Sequence, residues 1–311
     1  MRTELHVRPT YLDHKATRLA RLRSHLITRT PRYHKPNLLF VTTIAADLPA
    51  ALLSKNWRDG YNKAAVWIID AFHTSHLKPR WFQKNFDRIF VMRPNDVAPY
   101  AAATGLPVDV LPWGTDALGL GFSHGDKPID LLRVGRQPML FDHDYDTKVA
   151  CNDKGLIFSG RPPFGSNDQS HIPNLFSHYQ KAKFVLASSN LVSPAPYVHG
   201  SQEYLTARWT DALAAGAIVA GQAPHSDRAF SDLIWPEATL DIPMTDRNAA
   251  LAKIRTAVDR WSYDLAKFNA DCALKRLDWR LRFAQLADYF SYSTSTLDKS
   301  LKTIRSLRRS S

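Results

Sequence analysis

The sequence predicts an α/β protein of two Rossmann-like domains, on three observations. Short apolar runs at 38–43, 65–69, 88–92 and 108–111 alternate with stretches long enough for a helix, the pattern of a parallel, doubly wound sheet. A second set of strand-like runs begins at Asp130 and closes on the wholly apolar Ala217-Ile218-Val219-Ala220. The chain has 311 residues, enough for two domains that each bury a core.

Composition and charge narrow the class. With 44% hydrophobic and 23% charged residues the chain is ordinary globular material. No apolar run approaches the ~18 residues that cross a bilayer, and the first 30 residues, studded with Arg and His, contain no signal-peptide core. A soluble, cytoplasmic chain is expected. Cys151 and Cys272 stand far apart without metal-like spacing, so both read as packed thiols. The formal charge of +12 sits entirely at the ends: residues 1–35 carry nine Lys and Arg against Glu4 and Asp13, and residues 299–311 carry five with no acid. Basic ends on a neutral body suit an anionic membrane surface or acceptor, or are solvated flanks without a partner. Nucleic acid is not expected, because the ends lack interleaved aromatics, zinc spacing and an RRM-type motif.

In chain order, residues 11–27 have a helical pattern with Leu12, Ala16, Leu19, Leu26 and Ile27 near one face, and Pro31 and Pro36 break it. The four runs of the first domain enclose helix-length stretches at 47–56, 75–86 and 95–103. Ligands of such sheets bind beyond the carboxyl ends of the strands, which singles out Asp70 and His73 after the second run. An imidazole there can donate to a sugar hydroxyl or phosphate oxygen, and Asp70 can serve as a general base. Asp70, His73 and His76 at i, i+3, i+6 do not form a standard metal-ligand set, and no metal or cofactor is expected.

The second domain opens on a strand ending in Gly135-Arg136. A strand and turn at 156–161 follow, then a helix at 176–182, a strand at 184–187 and a polar loop from Ser188 to His199. The stretch HGSQEYLTARWTDALAAGAIVAG, residues 199–221, reads as loop, helix over 204–215, a glycine stop at Gly216 and a buried strand. On that reading Glu203 and Asp211 lie about 12 Å apart along one helix axis. The open N–H groups of the first turn offer a diphosphate site at Glu203, Tyr204, Leu205, Thr206 and Ala207. Residues 249–261 and 277–290 space their apolar positions as helices.

Four landmarks occur in one order: Pro112-Trp113-Gly114-Thr115-Asp116, Gly135-Arg136, the run from Tyr179 to Ser188, and Glu203 with an acid eight residues on, followed by Ala212-Leu213-Ala214-Ala215-Gly216. Together they resemble the GT-B glycosyltransferases, especially the retaining family 4 enzymes and their relatives, across most of residues 36–221. The resemblance implies two Rossmann-like domains facing across a cleft, with a short first domain and a C-terminal helix crossing back. The corresponding segments are a basic extension at 1–35, an acceptor domain at 36–116, a nucleotide-sugar domain at 117–277, a crossover helix at 278–298 and a basic tail at 299–311. It also implies roles. Glu203 contacts the donor sugar, Asp211, one methylene shorter than the family's usual Glu, contacts the ribose, and Arg136 beside Gly135 contacts the diphosphate. Gly160 and Arg161 lie near the base, and the loop from Ser188 covers the donor. His73 matches a histidine that many relatives place after this strand. The family's usual lysine downstream of Gly-Arg has no clear match, although Lys148 and Lys154 follow in sequence.

The expected activity is metal-independent transfer of a sugar, by a hexosyltransferase, from a nucleoside-diphosphate sugar to a saccharide or lipid-linked acceptor, with peripheral membrane attachment through the basic ends. Retaining chemistry needs no protein base, whereas inversion calls on Asp70 or His73. The other class of reading is a GT-B-like nucleotide-sugar-binding or membrane-surface adaptor protein without turnover.

Overall fold

A computed structural model describes residues 2–5, 35–45, 48, 57–71, 74, 77–163, 165, 168–195 and 198–307. The chain divides into two compact units, one of Met1–Pro112 with Phe283–Thr296, the other of Trp113–Arg282 with Leu297–Ser311.

In the first unit β1 (Leu38–Thr42), β2 (Ala64–Ile68), β3 (Arg88–Val91) and β4 (Val108–Val110) form a parallel sheet in the order β1-β2-β3-β4. Each coincides with a predicted apolar run to within one or two residues. Val66, Ile68, Ile89 and Val91 meet Phe82, Phe86 and Tyr100 of the connecting helices in one core. On the opposite face Phe90 packs edge-on against Tyr289, 5.6 Å between ring centres. The Tyr289 carbonyl accepts from Lys63 Nζ at 2.5 Å, which ties this C-terminal segment to the sheet. The helix expected over 75–86 is Pro79–Asn85. Lys78, in front of proline, is driven out of the α region and stays extended, which sets the late start. The helices expected at 11–27 and 47–56 lie outside the described residues, Leu48 excepted.

The second unit holds β5 (Ile129–Arg133), β6 (Phe158–Ser159), β7 (Ala182–Leu186), β8 (Ile218–Gly221) and β9 (Thr239–Asp241), all parallel, in the order β6-β5-β7-β8-β9. Strand alternation shares the side chains between two cores. Leu132, Val185 and Val219 join Trp209, Leu213 and Trp235 on one face, while Leu131, Phe184 and Ile218 join Phe141 and Ile254 on the other. A parallel sheet covered on both faces is buried throughout, which explains the unbroken apolar run at 217–220. The one acid buried in β5, Asp130, is satisfied by the Ile157 N–H at 2.9 Å and Lys183 Nζ at 2.7 Å.

The helix ahead of β8 spans Ala207–Ala214 and stops as the sequence predicts: Gly216 is left-handed at φ 79°, its N–H reaches Leu213 O at 3.0 Å, and Ala217 N–H reaches Ala212 O at 2.9 Å. Its start differs from the expected 204, as described below. Gly221 closes β8 where a Cβ would lie 1.8 Å from the Ala187 carbonyl oxygen, so only glycine allows the two strand ends to approach this closely. The helix expected at 176–182 is Asp168–Tyr179, its strand partner begins two residues earlier than expected, and the C-terminal pair are Arg247–Asp259 and Trp279–Phe290. Between that pair lies Tyr263–Arg276, whose start is capped by the Ser262 hydroxyl accepting from Leu265 N–H at 3.2 Å. Residues 299–307, expected only as a tail, and the last four residues of the expected 278–298 helix form a separate helix, Ser295–Leu307, with Leu297 and Ile304 buried. Among the described residues no helix is long and apolar enough to cross a membrane.

Candidate functional site

The order β6-β5-β7-β8-β9 contains one reversal. The chain leaves β5 for the outer position of β6, then returns across β5 to β7, so the segments after β5 and β7 part in opposite directions. In open α/β sheets the crevice at such a point receives the ligand. Most of the predicted donor residues of the second unit come together here.

After β5 the chain turns through Gly135, left-handed at φ 66°, a conformation that favours glycine. Gln137, buried, donates from Nε2 to Val134 O at 3.0 Å and to Leu186 O at 2.9 Å, stapling this turn to the end of β7. Arg136 donates from Nε to Ser193 Oγ at 3.1 Å, which ties it to the loop after β7. That loop is unusually polar for a buried segment: Ser188, Ser189, Asn190 and Ser193 are each almost wholly buried. A buried polar group must find partners. Ser189 donates to Glu203 Oε1 at 2.5 Å, and Asn190 Nδ2 donates to the carbonyls of His199 and Gln202 at 3.0 and 2.8 Å. Ser188 points elsewhere, its hydroxyl facing Met244 Sδ at 3.9 Å and the Gln222 N–H at 3.4 Å, so it braces the loop from beneath.

Glu203 does not lie on the helix. Thr206 is the N-cap in extended conformation, φ −108° and ψ 164°, and the helix begins at Ala207. The cause is Asp227, fully buried, whose carboxylate accepts from Leu205 N–H at 2.7 Å while capping the next helix through Ala229 N–H at 3.0 Å. With Leu205 N–H committed there, the chain from Glu203 to Leu205 stays outside the helix. The axial separation expected for Glu203 and Asp211 on one helix therefore does not apply. Glu203 is instead fixed from three sides, by the Ser189 hydroxyl, by Ser226 N–H at 2.9 Å and by the Ser226 hydroxyl. Burial raises its pKa, but these hydrogen bonds and the nearby His225 outweigh that and hold it below the ordinary value. It stands ionised at neutral pH beside the Ala207 helix start.

Asp211 is the opposite case. Half-buried as a residue, it has its carboxyl taken out of water, and this desolvation pushes its pKa up to about 7 against the opposing pull of Thr115 and Thr210 nearby. Thr115 belongs to the 112–116 landmark, which is anchored by Thr115 N–H to Leu277 O and Trp279 N–H to Thr115 O, both 2.9 Å, and by Trp113 against Trp279. Gly160 and Arg161 follow β6. The Arg161 N–H donates to Asp144 Oδ2 at 3.1 Å, and a Cβ on Gly160 would meet that oxygen at 2.7 Å. Asp144 in turn pairs with the buried Arg133 at 2.5 Å. These two residues are thus positioned by an ion pair at the end of β5.

In the first unit Asp70 follows β2, its N–H bonded to Thr43 O at 2.7 Å, at the carboxyl end of the sheet. His73 and His76 lie outside the described residues. No group of three His, Cys, Asp or Glu among the described residues is arranged to hold a metal ion. Sequence reasoning missed Gln137, Ser189, Arg208, Ser226 and Asp227. Only Asp227 carried a signal, an Asp just ahead of a helical segment.

The comparisons agree on the fold. HepE from Anabaena in complex with UDP and glucose is 12% identical, over 81% of this chain and 77% of that chain, at a TM-score of 0.52. The same protein in complex with UDP-glucose gives 11%, 81%, 78% and 0.51. Sucrose-phosphate synthase from Thermosynechococcus elongatus gives 13%, 82%, 73% and 0.49. No protein-family profile matches the chain, and no curated protein matches it. The two HepE structures show the fold class to be that of the GT-B glycosyltransferases, α/β with two parallel sheets.

The raised pKa of Asp211 sets a pH dependence. Between pH about 4 and about 7 the folded chain keeps a proton that the unfolded chain has released, so this group's contribution to stability falls as pH rises through that window. The full penalty, on the order of a few kcal/mol, is present above about pH 7. Asp211→Asn removes it. The melting temperature of the variant, relative to the natural protein, should climb by several degrees from pH 5 to pH 8; a difference that stays flat contradicts the assignment.

Proposed function

We propose that this chain is a glycosyltransferase that takes a sugar from a nucleoside-diphosphate donor held at the β5/β7 crevice of the second unit. The observation that carries the reading is Glu203, an ionised carboxylate hydrogen-bonded in place by Ser189, on the loop that also anchors Arg136, and by Ser226, four residues ahead of the Ala207–Ala214 helix. A fixed carboxylate is an acceptor array for sugar hydroxyls. A guanidinium and a helix N-terminus favour the phosphates. HepE, of like fold, was solved with UDP, glucose and UDP-glucose, which makes UDP-glucose the donor to try first.

In the proposed mechanism Glu203 binds and orients the donor sugar, and Asp211 accepts from the ribose hydroxyls. Gly135 admits the diphosphate to the turn backbone, and Gly160 and Arg161 border the base. Arg136, with the helix start at Ala207, stabilises charge growing on the leaving diphosphate, an electrostatic role that requires no metal; Tyr204, Leu205 and Thr206, expected to share it, precede the helix, and the Leu205 N–H is taken by Asp227. The C–O bond from the anomeric carbon to the diphosphate breaks as the acceptor oxygen bonds on the same face. The acceptor proton passes to the departing phosphate, so configuration is retained without a protein base. Inversion would instead call on Asp70 or His73 as the base, and the proposed acceptor is a saccharide or a lipid-linked glycan.

The Ser295–Leu307 helix supports an anionic surface as partner. Its buried Leu297 and Ile304 face the protein, while Lys299, Lys302 and Arg305 recur every third residue on the exposed side. Each cation near an anionic membrane contributes about 1 kcal/mol.

Glu203→Gln should abolish release of glucose from UDP-glucose while shifting the melting temperature only slightly, and EDTA should leave the natural protein's rate unchanged; wild-type turnover by the variant removes Glu203 from the reaction. A protein that binds UDP-glucose and never cleaves or transfers it is the non-catalytic adaptor instead. Separately, the protein should sediment with phosphatidylserine vesicles, release them as salt rises through physiological strength, and ignore phosphatidylcholine vesicles. Equal recovery with both lipids contradicts the anionic-surface proposal.

A further inference from the structure

The diphosphate subsite proposed above has a single basic side chain by sequence, Arg136, and neither of the lysines that follow it supplies a second. Lys154 sits in the connection that enters β6, at the amino end of the sheet, away from the crevice. Lys148 lies in the second turn of the Asp144–Asn152 helix, exposed on its surface.

The geometry points to Arg208 as the second diphosphate-binding residue; this inference rests on the nucleoside-diphosphate reading and deepens it. Arg208 occupies the first turn of the Ala207–Ala214 helix, five residues after Glu203. Its side chain lies along the Gly135 turn, so closely that a Cβ on Gly135 would stand 3.2 Å from Arg208 Cδ and 3.8 Å from Nε. Its Nη1 donates to the Arg136 carbonyl at 2.5 Å. That bond holds the guanidinium against the same turn that carries the Arg136 side chain, itself anchored on Ser193.

The Arg208 guanidinium and the Arg136 residue thus meet at one turn, which adds a second cation to the Gly135-Arg136 segment. A planar fork held at a fixed angle suits two phosphate oxygens at once, which a lysine does not provide. The left-handed Gly135 serves the same end. Without a side chain it leaves the space through which Arg208 reaches the turn. Arg208 also bears on the buried Tyr179 hydroxyl, whose pKa burial and Asp211 raise and Arg208 lowers.

The test is calorimetric titration of the intact chain with uridine, UMP and UDP, for the natural protein, Arg208→Gln and Arg208→Lys. Arg208→Gln should weaken UDP binding by about tenfold or more, the scale of one lost charge-assisted contact, weaken UMP less, and leave uridine within about twofold. Arg208→Lys, which retains charge without the fork, should fall between. Unchanged UDP affinity in Arg208→Gln overturns the inference, and so does an equal loss for uridine, which would make Arg208 a support for the turn only. Should Arg208→Gln not fold, Arg208→Lys decides: a loss for UDP with uridine unchanged supports the inference, and no loss overturns it. Failure of the natural protein to bind UDP, UMP or uridine at all would overturn the underlying reading and this inference with it.

Discussion

The second unit depends on how a buried polar loop is satisfied. Where the chain reverses from β6 across β5 to β7, Ser188, Ser189, Asn190 and Ser193 are taken almost entirely out of water. Each would cost about 1–3 kcal/mol without a partner. Three of them find partners in the candidate site, Glu203 for Ser189, the 199–202 backbone for the Asn190 Nδ2 and Arg136 for Ser193, while Ser188 turns to Met244 and Gln222. Satisfying the loop and assembling the site are one requirement, so the two candidate donor contacts are held by the same buried hydroxyls that the fold must accommodate.

Asp227 is the second fixed point. Its two carboxylate oxygens serve two elements at once, ending the 203–205 segment and starting the Arg228–Leu233 helix. That division of labour keeps Glu203 off the Ala207 helix and turns it toward Ser189 and Ser226. Asp211, four residues into the helix, remains in a desolvated niche against Thr115. Two acids eight residues apart thus have opposite pKa shifts. Local environment separates an ionised carboxylate from a carboxyl that titrates near neutrality.

Much of this was readable in the sequence. The strands of both sheets except β9 announce themselves because parallel strands covered on both faces must be apolar, whereas β9, Thr239–Asp241, is a short polar edge strand that no apolar run marks. The Gly216 stop announces itself because only a left-handed residue ends that helix with its carbonyls satisfied. The start of the same helix was not readable, since it is set by Asp227, more than twenty residues downstream, through a bond to Leu205 N–H. Propensity alone extends the helix back to Tyr204. Ser189 and Ser226 were missed for a similar reason: serine has no pattern that distinguishes a buried donor from a loop filler until its neighbours are known. Tyr263–Arg276 escaped because its apolar residues continue those on either side, and only the Ser262 cap marks a new beginning.

Hydrogen exchange of the intact chain with and without UDP bears most directly on the central claim, that a nucleoside diphosphate occupies the crevice between β5 and β7. Ligand binding at that crevice predicts slower exchange in three separated segments together, 134–137, 188–193 and 203–210, with β1 to β4 of the first unit unchanged. Protection confined to other segments, or no change at saturating UDP, would contradict it.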